Sequence, residues 1–442
     1  MSSATFTPKA ESPPVRPTDC PVDLLDSMLR RNPELPRVAA RLHRERVIPP
    51  DTYVLDLDAV RANARVLRSA FSRHGLEAYY EPKQFGRCPA VCEAIVEAGF
   101  EAAIALDIEE AAALDANGFR IGHVGHLGQP AAGDVDWVVR VAPEVVTVYS
   151  LERAAELGAA AVRAGRVQAI LLRPLGVEDI ARDLVGGGTP ESALLDVAEA
   201  VDATPGLRVE GITSYPVVRY DLRERRWVVT PNMRTLERAR ATLEDHGLSL
   251  GQVNAAGNCC ASSAELVASC GATHVEPGHA FVGSTTGHFF EDLEEVPALA
   301  WVSEVAYEVG ENAYAFGHGL VANHTMGFWN AVMYERLLAV CGPEPETIAD
   351  QRIWADPPEF VRSDPSSYMY LRLRPRLGPR PRVGDSVVLG VRTQIYRSNS
   401  GRLAVVDGIG SGAPSLVGLY DRTGREVQAL DYPQTQRAEV GT

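Results

Sequence analysis

From Thr52 onward, short β-branched runs alternate with helical runs of Ala, Leu, Glu and Arg, and no other feature constrains the fold as much. Strands separated by helices build βαβ units, and such units make parallel sheets. A leading strand, Tyr53-Val54-Leu55-Asp56, and a helix from about Leu57 to Arg73 open the pattern. Eight strands are then predicted: 78–81, 102–106, 121–125, 145–149, 167–172, 209–213, 252–255 and 273–276. Several intervening helices end in glycine, at Gly99, Gly118, Gly165, Gly247 and Gly271, the residue that takes a left-handed C-cap without strain. Eight units in roughly 200 residues predict an α/β fold of the TIM type, a closed (β/α)8 barrel. A doubly wound open sheet is the alternative. Against it, no G-x-G-x-x-G follows the first strand, and Gly186-Gly187-Gly188 is not preceded by one.

Three regions follow. Residues 1–50 read as a flexible tail followed by short helices, residues 51–290 as the barrel, and residues 291–442 as a mostly β domain. In the last region 300–308, 370–373, 387–391 and 403–406 read as strands, with Pro/Gly turns between them, and 328–338 as partly helical. The formal net charge of -15 disfavours nucleic acid, whose phosphates call for clustered Lys and Arg. With no apolar run of ~18 residues and no basic-then-apolar start, neither a membrane span nor a secretory signal is expected. The expected setting is the cytoplasm and the expected partner a small molecule. Seven cysteines at irregular positions, without a C-x-x-C pair, read as reduced buried thiols. His318 and His324 lack an acidic or Cys ligand pattern, so no metal site is expected.

In a barrel, chemistry gathers at the C-terminal ends of the strands. That rule selects Lys83, His126, Arg173, Ser214 and Tyr215, the segment Asn254 to Asn258, and Glu276-Pro277-Gly278-His279. Lys83 stands out for a compositional reason: of 43 basic side chains only Lys9 and Lys83 are lysine. A lysine retained where arginine serves everywhere else marks a place that needs a deprotonatable amine, and a lysine at a barrel mouth is a candidate Schiff-base former. The loops after the seventh and eighth strands, with Gly257, Asn258, Gly278 and His279, suit a phosphate, which backbone N–H groups and small residues can approach closely. Amine and phosphate cradle together point to pyridoxal 5'-phosphate, and Glu276 adds a carboxylate for its pyridine nitrogen.

These residues resemble the fold-type III pyridoxal-phosphate enzymes, the group of alanine racemase and the ornithine and diaminopimelate decarboxylases. Lys83-Gln84-Phe85-Gly86-Arg87, His-Val-Gly-His-Leu at 123–127, Thr273 to His279, and Arg392-Thr393-Gln394-Ile395 are similar to the YhfX-like branch. The resemblance runs from roughly Asn32 to Tyr420. It implies that Lys83 carries the cofactor and that Glu276 contacts the pyridine nitrogen; His126, Arg173 and Ser214 are expected to bind the cofactor from their places at the strand ends. Alanine racemases carry an arginine where Glu276 stands. The decarboxylases carry a C-E-S-x-D motif that Cys341-Gly342-Pro343-Glu344 does not match.

The leading expectation is an amino acid racemase or epimerase in which Lys83 is the base on one face of Cα. The second acid/base implied by the resemblance is a tyrosine from the β domain of a partner subunit. Tyr307, Tyr314, Tyr368 and Tyr370 are the candidates, with Tyr314 preferred, and a homodimer with shared active sites is expected. A lyase, decarboxylase or aldolase, is the alternative. A non-catalytic cofactor carrier is disfavoured because it would need no second domain.

Overall fold

Three helices start alike, with an Asp or Ser that accepts a hydrogen bond from the amide three residues on. Asp56 caps Leu57–Arg73 through Ala59 N (3.1 Å), Asp107 caps Ile108–Ala116 through Glu110 N (2.8 Å), and Ser150 caps Leu151–Arg163 through Arg153 N (3.2 Å). The expected C-cap glycines Gly99, Gly118, Gly165, Gly247 and Gly271 all have positive φ, between 66° and 95°. Each cap turns the chain back into a strand. In the computed structural model, which describes residues 24–180, 187–221, 223–318, 320, 337–356, 369–374, 380–392, 395 and 401–428, the result is a closed barrel.

Its eight parallel strands are Glu77–Tyr80, Ala102–Ala105, Ile121–Val124, Val145–Val148, Gln168–Leu172, Leu207–Ser214, Gln252–Ala256 and His274–Glu276. The eighth closes on the first, His274 opposite Glu77 and Val275 opposite Ala78. Tyr79, Ala102, Ile104, Val145, Ala169 and Leu171 form a separate buried cluster that makes this interior a packed core rather than a pore. Gly122 makes room for it, since a Cβ there would lie 2.2 Å from the Tyr79 ring. The Tyr79 hydroxyl is held between Glu144 (3.0 Å) and Gln252 (2.8 Å).

The second domain is a nine-stranded sheet in the order Asn312–Phe316, Tyr370–Arg374, Arg352–Asp356, Leu337–Gly342, Ser386–Gly390, Leu299–Val309, Thr52–Asp56, Arg402–Asp407 and Ser415–Tyr420. Asn312–Phe316 also pairs with Leu299–Val309, so the first six strands curl back on themselves. The leading strand Thr52–Asp56 lies inside this sheet, antiparallel to Leu299–Val309 and parallel to Arg402–Asp407. Helices Leu24–Arg31 and Glu34–Arg44 cover it, with Leu25, Met28, Leu35 and Val38 packed on Val54, Val302, Val340, Val388 and Val406. Sequence reading did not anticipate 312–316, 352–356 or 415–420 as strands, nor the barrel-mouth hairpin Val218–Asp221/Arg226–Val229. The expected helix at 328–338 lies mostly outside the described residues, and its last two positions open the strand Leu337–Gly342. The tail, Tyr368 and His324 also lie outside them. Among the described residues, no helix is long and apolar enough to cross a membrane.

Candidate active site

Lys83 sits in a 3-10 turn, Pro82–Phe85, immediately beyond the first barrel strand. Pro82 preorganises the turn and Gly86 closes it at φ 62°, while Glu81 N bonds to Pro277 O (2.8 Å) and ties the turn to the eighth-strand loop. The lysine is only 7% exposed and forms an ion pair with Glu81, whose other oxygen accepts from Gln84 Nε2 (3.1 Å). Burial pulls the ammonium pKa down, but the charges of Glu81 and Tyr215 outweigh it and the net shift is upward. Arg87 pairs with buried Glu110 (3.2 Å), which also accepts from Leu106 N, so the turn is fastened from both ends.

Glu276 ends the eighth strand, and three donors converge on it. His123 Nδ1 (2.6 Å) and Asn254 Nδ2 (2.8 Å) reach Oε1, and His126 Nδ1 (2.9 Å) reaches Oε2. Burial works against ionisation, but His126 and His123 more than reverse it and hold the carboxyl well below the usual carboxylate range. His126 itself is lowered, by burial first, against the pull of Glu276. Both imidazoles present Nδ1 to the carboxylate, and the other nitrogen of His123 meets the Thr147 hydroxyl (2.7 Å). The ligand atoms of His123, His126 and Glu276 lie within 4.8 Å of one another, a grouping that could also chelate a cation.

The remaining expected residues divide into two sets. Arg173 is buried over Tyr149 (5.8 Å) and donates to its hydroxyl (3.1 Å), while Tyr149 donates to the His126 carbonyl. Gly257 has φ 97°, and a Cβ there would lie 2.9 Å from the Tyr215 ring; at Gly278 it would lie 2.4 Å from the Gln84 amide. At His279 burial, then Arg392 and Lys83, push the pKa well below an ordinary imidazole. The Asn258 side chain is spent on the framework, bonding to Val218 O (3.2 Å) and Thr286 Oγ1 (2.9 Å), so it offers the mouth its backbone alone. Cys259 and Cys260 are buried, and burial pushes the Cys259 thiol up to about 12. Tyr314 stacks on Tyr307 (4.7 Å), and Tyr370 meets Tyr307 edge-on (4.9 Å), in a cluster on the second domain's sheet.

Several buried polar atoms here have no partner among the described residues: Ser214 Oγ, His126 Nε2, Arg173 Nε, His279 Nε2, and Arg392 Nε and Nη1. Native proteins rarely leave buried donors unpaired unless a ligand completes them. Three contributors escaped sequence reasoning. Glu81 is two residues from Lys83, His123 is three residues before His126, and Arg392 comes from the second domain. All three stand inside or beside the quoted motifs, which was the available signal.

An eight-stranded barrel bearing a buried lysine on its first strand, completed by a β domain, is an alanine racemase-like fold. The chain belongs to the family of the alanine racemase N-terminal domain, which matches residues 55–286. It is similar to the uncharacterized protein YhfX of Escherichia coli K12, 32% identical over 409 residues, covering 92% of this chain and all of that one. Among solved structures it is similar to D-threonine aldolase from Filomicrobium marinum, with a TM-score of 0.62 and 16% identity over 85% of this chain and 95% of the other. Alanine racemase of Clostridium difficile 630 with cycloserine gives 0.59 and 13% over 84% and 98%. D-threo-3-hydroxyaspartate dehydratase gives 0.60 and 15% over 83% and 96%.

Proposed function

We propose that this chain is a pyridoxal-phosphate-dependent enzyme that acts at the Cα of an amino acid, and that its reaction is racemisation or epimerisation. The observation that carries the reading is the pairing, across one barrel mouth, of the buried Lys83 amine with an ionised Glu276 held by three N–H donors. The residues fit the cofactor. Lys83 would hold its aldehyde carbon, Glu276 its ring nitrogen, and the close-approach positions Gly257 and Gly278, with Ser214 and His279, its phosphate. When bound, pyridoxal phosphate supplies an electron sink for the pair left at Cα.

The protein's part is proton handling. Glu81 holds the proton of Lys83 at Nζ while the substrate amine enters, and Lys83 Nζ, once free, serves one face of Cα. Glu276 would hold a proton on the ring nitrogen of a bound cofactor, by charge and by accepting its hydrogen bond. Tyr314 of a partner subunit would serve the opposite face, in a homodimer with shared sites. A lyase is the second reading, favoured by the likeness to D-threonine aldolase.

The test is incubation of the loaded protein with single amino acids of each hand in D2O, reading Cα deuteration, chirality and cleavage products. Deuterium incorporation with loss of optical purity supports the proposal. Cleavage without racemisation replaces it with the lyase, and neither change with any amino acid ends it.

A further inference from the structure

Arg392 lies two residues beyond Ser386–Gly390, a strand hydrogen-bonded on both sides within the second domain's sheet. Its guanidinium reaches the barrel mouth of the same chain, where its charge acts on His279, Tyr215 and Glu81. There it is 4% exposed, and neither Nε nor Nη1 has a partner among the described residues. Tyr215 and Glu81 act on it electrostatically, and its own charge is felt at His279. Among the described residues no ion pair joins it to Glu81, which pairs instead with Lys83 and accepts from Gln84. Burial draws the guanidinium down to about 10, with Tyr215 and Glu81 only partly opposing. A cation desolvated to this degree is retained where an anion completes it.

We propose that Arg392 is the anchor for the substrate's α-carboxylate, so that the second domain selects amino acids over simple amines. The planar fork of arginine matches a two-oxygen anion. Two oxyanions could meet it, a carboxylate or the cofactor's phosphate. The carboxylate is favoured because Arg392 faces the Lys83–Glu81 pair, and an α-carboxylate lies one carbon from the amine that enters there. Phosphate has its own cradle at Gly257 and Gly278. The inference rests on the proposed function, and the experiment separates the two.

Wild type, R392Q and R392K are loaded with pyridoxal phosphate, and the cofactor's absorbance is followed on titration with alanine and lysine of each hand. The matched amines, ethylamine and 1,5-diaminopentane, are titrated in parallel. The expected result is a preference of wild type for the amino acid of about 10- to 100-fold, the scale of one charge-assisted hydrogen-bonded pair. In R392Q the preference collapses toward unity, R392K keeps part of it, and the affinity for pyridoxal phosphate, read by protein fluorescence, moves less than about threefold. A loss of cofactor affinity with the preference intact assigns Arg392 to the phosphate and overturns the proposal, as does no change in either. If R392Q does not fold, phenylglyoxal labelling of wild-type Arg392 decides: protection by acetate supports the anchor, and protection by inorganic phosphate alone refutes it. If wild type binds no cofactor, the functional reading fails by itself. Acetate binding to wild type and R392K, read by calorimetry, then still tests the anion site.

Discussion

Glu276→Gln is the substitution on which the proposed chemistry turns, and the clamp around this residue separates its charge from its shape. Oε1 must remain an oxygen, because His123 Nδ1 and Asn254 Nδ2 both donate to it. The amide nitrogen therefore takes the other position and faces His126 Nδ1. His126 can adapt: its Nε2 has no partner, so the ring can carry its proton there and accept at Nδ1. The structural penalty is then about 1 kcal/mol, the scale of a weakened buried hydrogen bond. The pyridine nitrogen of a bound cofactor, by contrast, would lose the negative charge that the proposed chemistry uses to keep it protonated. Removing one positioned electrostatic group costs ~10²-fold or more, about 2.7 kcal/mol in activation free energy. Single-turnover exchange of Cα–H in D2O should fall by that factor, with cofactor still bound and the melting temperature lowered by a few degrees. Unchanged exchange in a cofactor-loaded, folded variant would refute the reasoning and return Glu276 to a purely structural role.

Borohydride treatment of the loaded protein should place the cofactor on Lys83, and peptide mapping can confuse it only with Lys9, the other lysine of the chain. An adduct on Lys9 alone would exclude Lys83. A pH effect should arise at His288, whose Nδ1 accepts from Thr285 N (3.1 Å) and from its hydroxyl (2.7 Å) while Nε2 donates to Glu295 O (3.0 Å). Burial holds this imidazole down to about 4 from an ordinary 6.5, so the neutral form is the folded form. Its contribution, about 3 kcal/mol, is complete above pH 6.5 and lost as pH falls toward 4. Urea midpoints for wild type should drop over that window more than for His288→Asn, and equal slopes would count against it. Sedimentation should give a two-fold-symmetric homodimer as the active species, and a fully active monomer would contradict shared sites.

The barrel was legible because many of its units carry local signals: short apolar or β-branched runs, an Asp or Ser cap at three helices, and a terminal glycine at five. Lys83, Glu276, Gly257 and Gly278 were legible as strand-end residues for the same reason. What escaped depends on pairings distant in sequence. His123 looks like any strand residue until Glu276, 153 positions later, takes its Nδ1 hydrogen bond. Arg392 opens the Arg392-Thr393-Gln394-Ile395 motif, but only the packing of the second domain on the barrel brings its charge to His279 and Glu81. Leu337–Gly342 is a short apolar run that suits helix or strand equally, and its sheet neighbours Arg352–Asp356 and Ser386–Gly390 decide the matter.

Thr52–Asp56 is hydrogen-bonded between Leu299–Val309 and Arg402–Asp407, although it precedes every barrel strand. The barrel is thus an insertion within the second domain, whose first strand emerges from the ribosome long before its partners. During synthesis the barrel can close while that strand waits, unpaired on both edges, for some 250 further residues. Any shortened chain ending near residue 290 would leave it exposed as a template for intermolecular pairing. Order of assembly, and not only final stability, is written into where this one strand is placed.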